Sequence, residues 1–260
     1  MIEAVFLDVD NTLTSSATRT IPASALEALR RARAKGVRVF AATGRNTRTA
    51  EEGAILRGVP LDGFVACNGQ VCYLADGVFI RRRPLDPRDV AAVLDFCRQR
   101  DCALLVGELE CNYISRVDDV VRAFQKNIKI PLYEVRDVSR LPEREVYGLA
   151  PFLGPEGDEA LRAALRSSTT VRYNPITCDV IPLLGGKDVG MRSVLEYFGI
   201  PAESSMAFGD GGNDIAMLRA AGVGVAMGGS EPDVLAAADV VAPGVDEDGI
   251  YKVFEMYNLL

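Results

Sequence analysis

Four clusters of polar residues in this 260-residue chain follow apolar runs, and each could do chemistry. The first is Asp8-Val9-Asp10-Asn11-Thr12-Leu13. Asp8 closes the run IEAVFL and Asp10 lies two residues on, so both carboxylates can face one crevice. Alone, a DxD of this kind serves equally well as an Asx-rich turn. The second is Thr43-Gly44-Arg45, after VRVFAA. A hydroxyl and a backbone N–H at a helix start can hold a phosphate oxygen, although Thr-Gly is also an ordinary cap. The third is Lys187, which opens a helix behind Gly185-Gly186. A cation there opposes the helix macrodipole, and a bound anion would reverse the balance. The fourth, Gly209-Asp210-Gly211-Gly212-Asn213-Asp214, puts two carboxylates, an amide and three glycines behind the buried run SMAF. Glycines let backbone and ligand approach closely, and a plain loop has no use for so many carboxylates.

The elements that must position these clusters follow from apolar periodicity. Residues 2–8 read as a strand buried on both faces. A helix over 22–35 carries Leu26, Leu29 and Ala32 on one side and stops at Gly36. Residues 37–43 form a second strand, 46–57 a helix ended by Gly58, and 64–67 a third strand; VCYL and VFIR flank a hairpin turn at Ala75-Asp76-Gly77. From Arg81 to Pro84 the rhythm changes. Helices near 87–100, 117–126 and 156–167 alternate with strands near 102–106, 145–150, 169–173 and 177–182, an α+β pattern with prolines in its loops. After Leu184 the first rhythm resumes: helix 187–199, strand SMAFGD, helix 213–220, strand VGVAM, helix 231–237, strand DVVA and a last helix over 249–259. The predicted fold is α/β: a doubly wound, Rossmann-like, mostly parallel sheet core built from residues 1–81 and 185–260, interrupted by an inserted α+β domain at 82–184.

In such sheets the site lies beyond the carboxyl ends of the strands. Asp8, Asp10, Asp210 and Asp214 then crowd one crevice, and carboxylates that close raise one another's pKa. A hard divalent cation resolves this. With oxygen ligands only, Mg²⁺ is the natural choice. Together with Lys187 it makes an electropositive pocket in an acidic protein, suited to a phosphoryl group.

Composition narrows the field. Lys and Arg number 29 against 36 Asp and Glu, a net charge of −7, so no nucleic-acid footprint is expected. The chain has no His, which excludes Ser-His-Asp and Cys-His catalysis and His-ligated metals. Proton transfer must use carboxylates, Lys, Tyr, Cys or water. The cysteines at 67, 72, 97, 102, 111 and 178 form no CxxC and read as buried thiols of a reducing compartment. The start of the chain has no basic n-region and no apolar run approaches ~18 residues, so a cytoplasmic protein that does not engage membranes is expected. The sequence is silent on oligomeric state.

DVDNTL at 8–13, TGR at 43–45, Lys187 and GDGGNDIAML at 209–218 resemble, in order and spacing, the four motifs of the haloacid dehalogenase superfamily. The tail AGVGVAMGGSEPDVLAAADVVAPGVDEDGI is similar to the Cof-type branch, whose large α/β (type IIB) cap lies between the second and third motifs, where 82–184 stands here. The resemblance implies Asp8 as a nucleophile forming an aspartyl-phosphate and Asp10 as general acid, then base. It implies Mg²⁺ on Asp8, the Asp10 carbonyl and Asp210, with Asp214 in the metal site. Thr43, Gly44, Lys187 and Asn213 would serve the phosphoryl oxygens, Asn213 also supporting the metal site. Two departures stand out: Asn11 replaces the usual Gly, and Gly228-Gly229-Ser230 replaces a frequent Gly-Asn-Ala.

The expected function is a Mg²⁺-dependent phosphatase for small phosphorylated metabolites, sugar phosphates first among them. The alternatives are a phosphomutase or phosphotransferase of the phosphomannomutase type, and a non-catalytic phosphometabolite-binding module. Substrate choice is expected to rest on Arg45, Asn46 and Asn68 of the core and on Asn112, Arg116, Arg172, Asn174 and Asp179 of the insert.

Overall fold

The structure, a computed structural model, describes residues 1–49, 53–128, 133–172 and 175–260. The chain divides into two compact units, one from Met1–Thr47, Glu52–Arg82 and Gly185–Leu260, the other from Arg48–Glu51 and Arg83–Leu184. In chain order the strands among the described residues are β1 (Ala4–Leu7), β2 (Arg38–Ala42), β3 (Gly63–Ala66), β4 (Val71–Leu74), β5 (Phe79–Arg82), β6 (Leu104–Glu108), β7 (Asn112–Ile114), β8 (Val146–Pro151), β9 (Ser168–Arg172), β10 (Cys178–Pro182), β11 (Ser205–Gly209), β12 (Val223–Ala226) and β13 (Val240–Val241).

The core unit holds one sheet in the order β13-β12-β11-β1-β2-β3-β4-β5. Pairing is parallel from β13 through β3 and antiparallel from β3 through β5. β1 shows why the sheet is covered on both sides. All four of its residues are fully buried, and they alternate. Val5 and Leu7 join an apolar cluster with Ala28, Leu29, Val253 and Phe254, from the helices Ala23–Ala34 and Gly249–Met256. Ala4 and Phe6 join a second cluster with Met191, Leu195, Met217 and Leu218, from the helices Lys187–Phe198 and Ile215–Ala220. A strand packed this way must be apolar at every position, which is the pattern β1 carries. Consecutive elements run from β1 to β2 on one side, while β11 returns to pair with β1 on the other. The β1/β11 boundary is therefore a topological switch point, where ligands bind in open α/β sheets.

The insert unit holds a second sheet, order β7-β6-β8-β10-β9, antiparallel throughout. Its helix Pro87–Arg100 starts on Asp86, whose side chain accepts the Arg88 N–H at 2.8 Å, with Pro87 at the first position. Val90, Val93, Leu94 and Cys97 of this helix pack with Leu104, Val106, Val146 and Leu149 of the sheet. Asp89, buried on the same helix, accepts the N–H groups of Arg166 (2.8 Å) and Ser167 (2.9 Å), tying the helix to the segment that enters β9.

Two segments stand apart from the sequence reading. The helix over 46–57 falls partly on residues 50–52, outside the described residues. Of the described residues there, Gly53 is helical and Ala54–Leu56 forms a 3-10 turn. The three-residue strand β7 was not anticipated, because a segment so short shows no readable period. No helix among the described residues is long and apolar enough to cross a membrane.

Phe40 is fully buried on β2 and stacks on Phe6 with ring centroids 5.1 Å apart. Phe40→Ala is expected to lower stability by about 3–5 kcal/mol, read from the urea-unfolding midpoint.

Candidate active site

The register between β1 and β11 brings the two ends of the chain together. Leu7 pairs with Phe208, and the Asp8 N–H donates to Phe208 O at 3.0 Å. Asp8 therefore lies just past the end of β1 and Asp210 just past the end of β11. On the other flank Leu7 pairs with Ala41, so Thr43 follows β2 at the same edge. Beyond β1 the chain turns tightly, with Leu13 N–H on Asp8 O (3.2 Å) and Thr14 N–H on Val9 O (2.7 Å). Asn11 takes φ 57° in this turn. Asn is among the few non-glycine residues that accept the left-handed region, so it can stand where the resembled motif usually has Gly.

Lys187 is the centre of the site. Its side chain is 1% exposed, and Nζ donates to Asp8 Oδ1 at 2.5 Å and Asp214 Oδ1 at 2.7 Å. Asp214 Oδ2 accepts the backbone N–H groups of Asp210 (3.2 Å) and Gly211 (3.0 Å), so one carboxylate clamps both the lysine and the turn after β11. The anion that answers the unfavourable charge at this helix start is thus supplied by the chain itself. Two glycines seat the helix. Gly69 has φ +84°, and a Cβ on it would come within 2.0 Å of Gly186 O; a Cβ on Gly190 would meet Val65 Cγ1 at 2.4 Å. The seat is closed by Gly186 N–H donating to Asn68 O at 3.1 Å.

The electrostatics follow from burial and crowding. Asp8, Asp210 and Asp214 each offer a carboxylate oxygen within 4.8 Å of the others. Burial holds the Asp8 carboxyl well above the usual range, Asp214 and Asp210 push it further, and Lys187 opposes them. Asp210 is raised by burial and by Asp214, against hydrogen bonds from Asn11 and Thr12; Thr12 Oγ1 lies 3.2 Å from Asp210 Oδ1. Burial alone would discharge Lys187, but Asp214 and Asp8 outweigh it and hold the ammonium protonated. Fully ionised, the three carboxyls would outnumber the one ammonium by two negative charges. A doubly charged, oxygen-seeking cation fits both that excess and the donor set.

The remaining expected residues fall into two sets. Near the site, the Thr43 N–H donates to Val65 O (2.8 Å), Thr43 O accepts the Asn68 N–H (3.0 Å) and Thr43 Oγ1 accepts the Arg45 N–H (3.1 Å), lacing the turns at 43–45 and 67–69 together. A Cβ on Gly44 would sit 3.2 Å from Asn68 Oδ1. Asn213 Nδ2 donates to that same Oδ1 at 3.2 Å. Arg45 grips Asp10 with two prongs, Nε at 2.8 Å and Nη2 at 2.7 Å. Asn46 and Asn68 are buried, and these three expected substrate contacts all have partners already.

In the insert, two of the expected arginines have partners within their own unit. Arg172 is braced by Asp158 (2.9 and 2.5 Å) and by the carbonyls of Leu153 and Thr177 (3.1 Å each), a half-buried guanidinium whose donors serve the unit's own packing. Arg116 pairs with the Asp101 carboxylate and carbonyl and approaches Asp118 at 3.6 Å. Asp179 lies on β10 opposite Val171, and Asn112 on β7 opposite Gly107. Asn174 lies outside the described residues.

Sequence reasoning missed the Thr12 contact, the Arg45 grip on Asp10 and a bond from Ser15 Oγ to Asp246 Oδ2 at 2.8 Å that ties the first turn to the C-terminal tail. Thr12 and Ser15 carry the one usable signal: polar residues immediately after a buried strand that need partners.

Lys187→Met leaves Asp8 and Asp214 buried without their shared cation. In the metal-free protein this is expected to cost about 3–5 kcal/mol in urea unfolding, with Lys187→Arg retaining part of the stability.

Known proteins place this geometry in context. The profile of haloacid dehalogenase-like hydrolases matches residues 5–254. The structure of BT1666 from Bacteroides thetaiotaomicron, described among phosphatases of that superfamily, superposes with a TM-score of 0.93 at 31% identity, covering 100% of this chain and 96% of that one. BT4131, described as a subclass IIB sugar phosphatase, superposes with a TM-score of 0.91 at 32% identity over 99% of this chain and 100% of its own. YkrA of Bacillus subtilis is 30% identical over 257 residues, 97% of this chain and 96% of YkrA. With its motifs gathered at the switch point of a doubly wound sheet, the chain belongs to the haloacid dehalogenase-like hydrolase family.

Proposed function

We propose that this protein is a Mg²⁺-dependent phosphatase of small phosphorylated metabolites, sugar phosphates first among them, working through an aspartyl-phosphate on Asp8. The observation that carries the reading is the convergence of Asp8, Lys187, Asp210 and Asp214 at one strand edge. The phosphatase descriptions of BT1666 and BT4131 support the reaction class, and the sugar phosphatase description of BT4131 supports the substrate class.

The chain's own groups suffice for the proton and bond changes. Asp8 would attack phosphorus through a carboxylate oxygen while the bond to the ester oxygen breaks. Asp10 would give that leaving oxygen a proton. In the second half Asp10 would take a proton from water as the water oxygen attacks phosphorus, releasing phosphate and restoring Asp8. Lys187, the Thr43 hydroxyl and the Gly44 N–H would hold the equatorial oxygens, with Asn213 lending its amide. Phosphoryl transfer asks mainly for in-line placement and charge neutralisation. Mg²⁺ would be held by Asp8, the Asp10 carbonyl and Asp210, with Asp214 behind them, and would neutralise charge on the phosphoryl oxygens. Arg45 holds Asp10 in place through its two-pronged contact. The insert at 82–184 is read as the type IIB cap.

Asp8→Asn is expected to reduce Mg²⁺-dependent phosphate release from p-nitrophenyl phosphate to background, and Asp10→Asn to lower kcat about 10²–10⁴-fold. Undiminished turnover by Asp8→Asn would refute the reading. With a hexose 1-phosphate, free phosphate is the expected product, and isomerised sugar phosphate without it would point to a mutase instead. Chelation should abolish turnover and Mg²⁺ should restore it. Saturating Mg²⁺ should also raise the thermal midpoint, by an amount equivalent to about 2.7 kcal/mol at a hundred times Kd, and Asp210→Asn should erase the rise.

A further inference from the structure

We propose that Cys97 and Cys102 form a redox-active thiol pair at the end of the helix Pro87–Arg100, closed to a disulfide by hydroperoxides. The backbone brings the pair together. The helix stops at Asp101, which takes φ 50° and ψ 43°, and the N–H groups of Asp101 and Cys102 both donate to Cys97 O, the latter at 3.0 Å. In a cap of this kind the residue two beyond the helix packs on the residue three before its end, and both are ordinarily apolar. Here those positions are Cys102 and Cys97, so the cap sets their side chains against each other.

The two sulfurs are unequal in the way such a pair requires. Cys97 is 6% exposed among Val93, Leu94 and Leu104. Cys102 is half-buried and lines a cavity of about 460 Å³ with Arg100, Asp101 and Asp118. Arg116, fastened to the Asp101 carboxylate and carbonyl, sets a positive charge beside it. The neighbouring Cys97 draws the Cys102 thiol below its ordinary range; burial opposes this, as does Asp118, and Arg116 assists. Cys97 is pushed up by its neighbour Cys102 and by burial. Cys72 and Cys178, by contrast, are buried thiols raised to about 12. Low thiolate pKa together with access is what makes a cysteine reactive.

The chemistry balances with hydrogen peroxide as the oxidant. The Cys102 thiolate attacks one peroxide oxygen and the O–O bond breaks, leaving a sulfenic acid on Cys102 and a hydroxide that takes up a proton. The Cys97 sulfur, giving up its proton, attacks the Cys102 sulfur. The S–S bond forms, the S–O bond breaks and water leaves. The pair loses two electrons and two protons, and the peroxide ends as water.

The test uses the whole reduced protein, treated with an equivalent of hydrogen peroxide, alkylated, and digested with trypsin and a Glu-specific protease. Peptide 89–98 should be recovered joined to peptide 101–108, separable again by dithiothreitol, with two of the six thiols lost from the titre. In Cys102→Ser the link should vanish with Cys97 still alkylated, and in Cys97→Ala dimedone should label Cys102. Recovery of both peptides unlinked and alkylated, sulfinic acid on Cys102 without a link, or a bridge to Cys111 or Cys178 instead would overturn the proposal. The unmodified chain supplies the decisive reading even where a variant folds poorly.

Discussion

An ammonium buried between carboxylates from two distant stretches of chain is the constraint on which the core unit turns. Lys187 meets Asp8 and Asp214 in a space almost closed to water. Desolvating charges costs several kcal/mol each, and the attraction recovers that only in good geometry with the remaining hydrogen bonds satisfied. Asp214 meets the condition by accepting two backbone N–H groups with its second oxygen. Asp8 and Asp210 do not reach it by protein contacts alone, since their carboxyls are raised by burial and by their neighbours. A cluster left in that state adds little to stability, and it is compatible with a bound cation.

The rest of the core unit can be understood as what holds that lysine in register. The parallel pairing of β1 with β11 sets Asp8 beside the turn that carries Asp210. The close seat at Gly69 and Gly190 lets the helix that starts at Lys187 approach the turn at 67–69 without a side chain between them. Cys67 and Asn68 both have positive φ there, at 51° and 50°; for Cys67 this is a strained conformation of the kind that persists where surrounding contacts over-determine it. The lacing of Thr43 and Asn68 supplies those contacts.

The insert unit is organised by different means. Its apolar cluster spans one helix and an antiparallel sheet, and its polar anchors are internal: Asp89 on two N–H groups, and Arg172 on Asp158. Charged side chains of this unit that invite assignment to a ligand, Arg116 and Arg172, therefore have structural employment. The pairing of Cys97 with Cys102 at the helix end has a local cause, because a left-handed cap sets the side chains on either side of it together.

The buried strands β1, β2 and β11 are legible in the sequence because a strand covered on both faces must be apolar throughout, and polar residues massed at its end then mark an edge with work to do. Asp8, Asp210 and Asp214 can be singled out on that basis, and Lys187 by its place at a helix start. The extent of the segment after Asn46, the strand β7 and the partners of Arg45, Arg116 and Arg172 are not legible, since short elements carry no period and a charged side chain's reach covers several neighbours. The sequence by itself determined which residues had to be buried and which carboxylates stood at strand ends, because periodicity and residue chemistry are local properties. Only the tertiary structure decided that Lys187 answers Asp8 and Asp214, that Arg45 closes on Asp10 and that Cys97 meets Cys102, because such pairings depend on strand register and helix seating, which contacts between distant parts of the chain set.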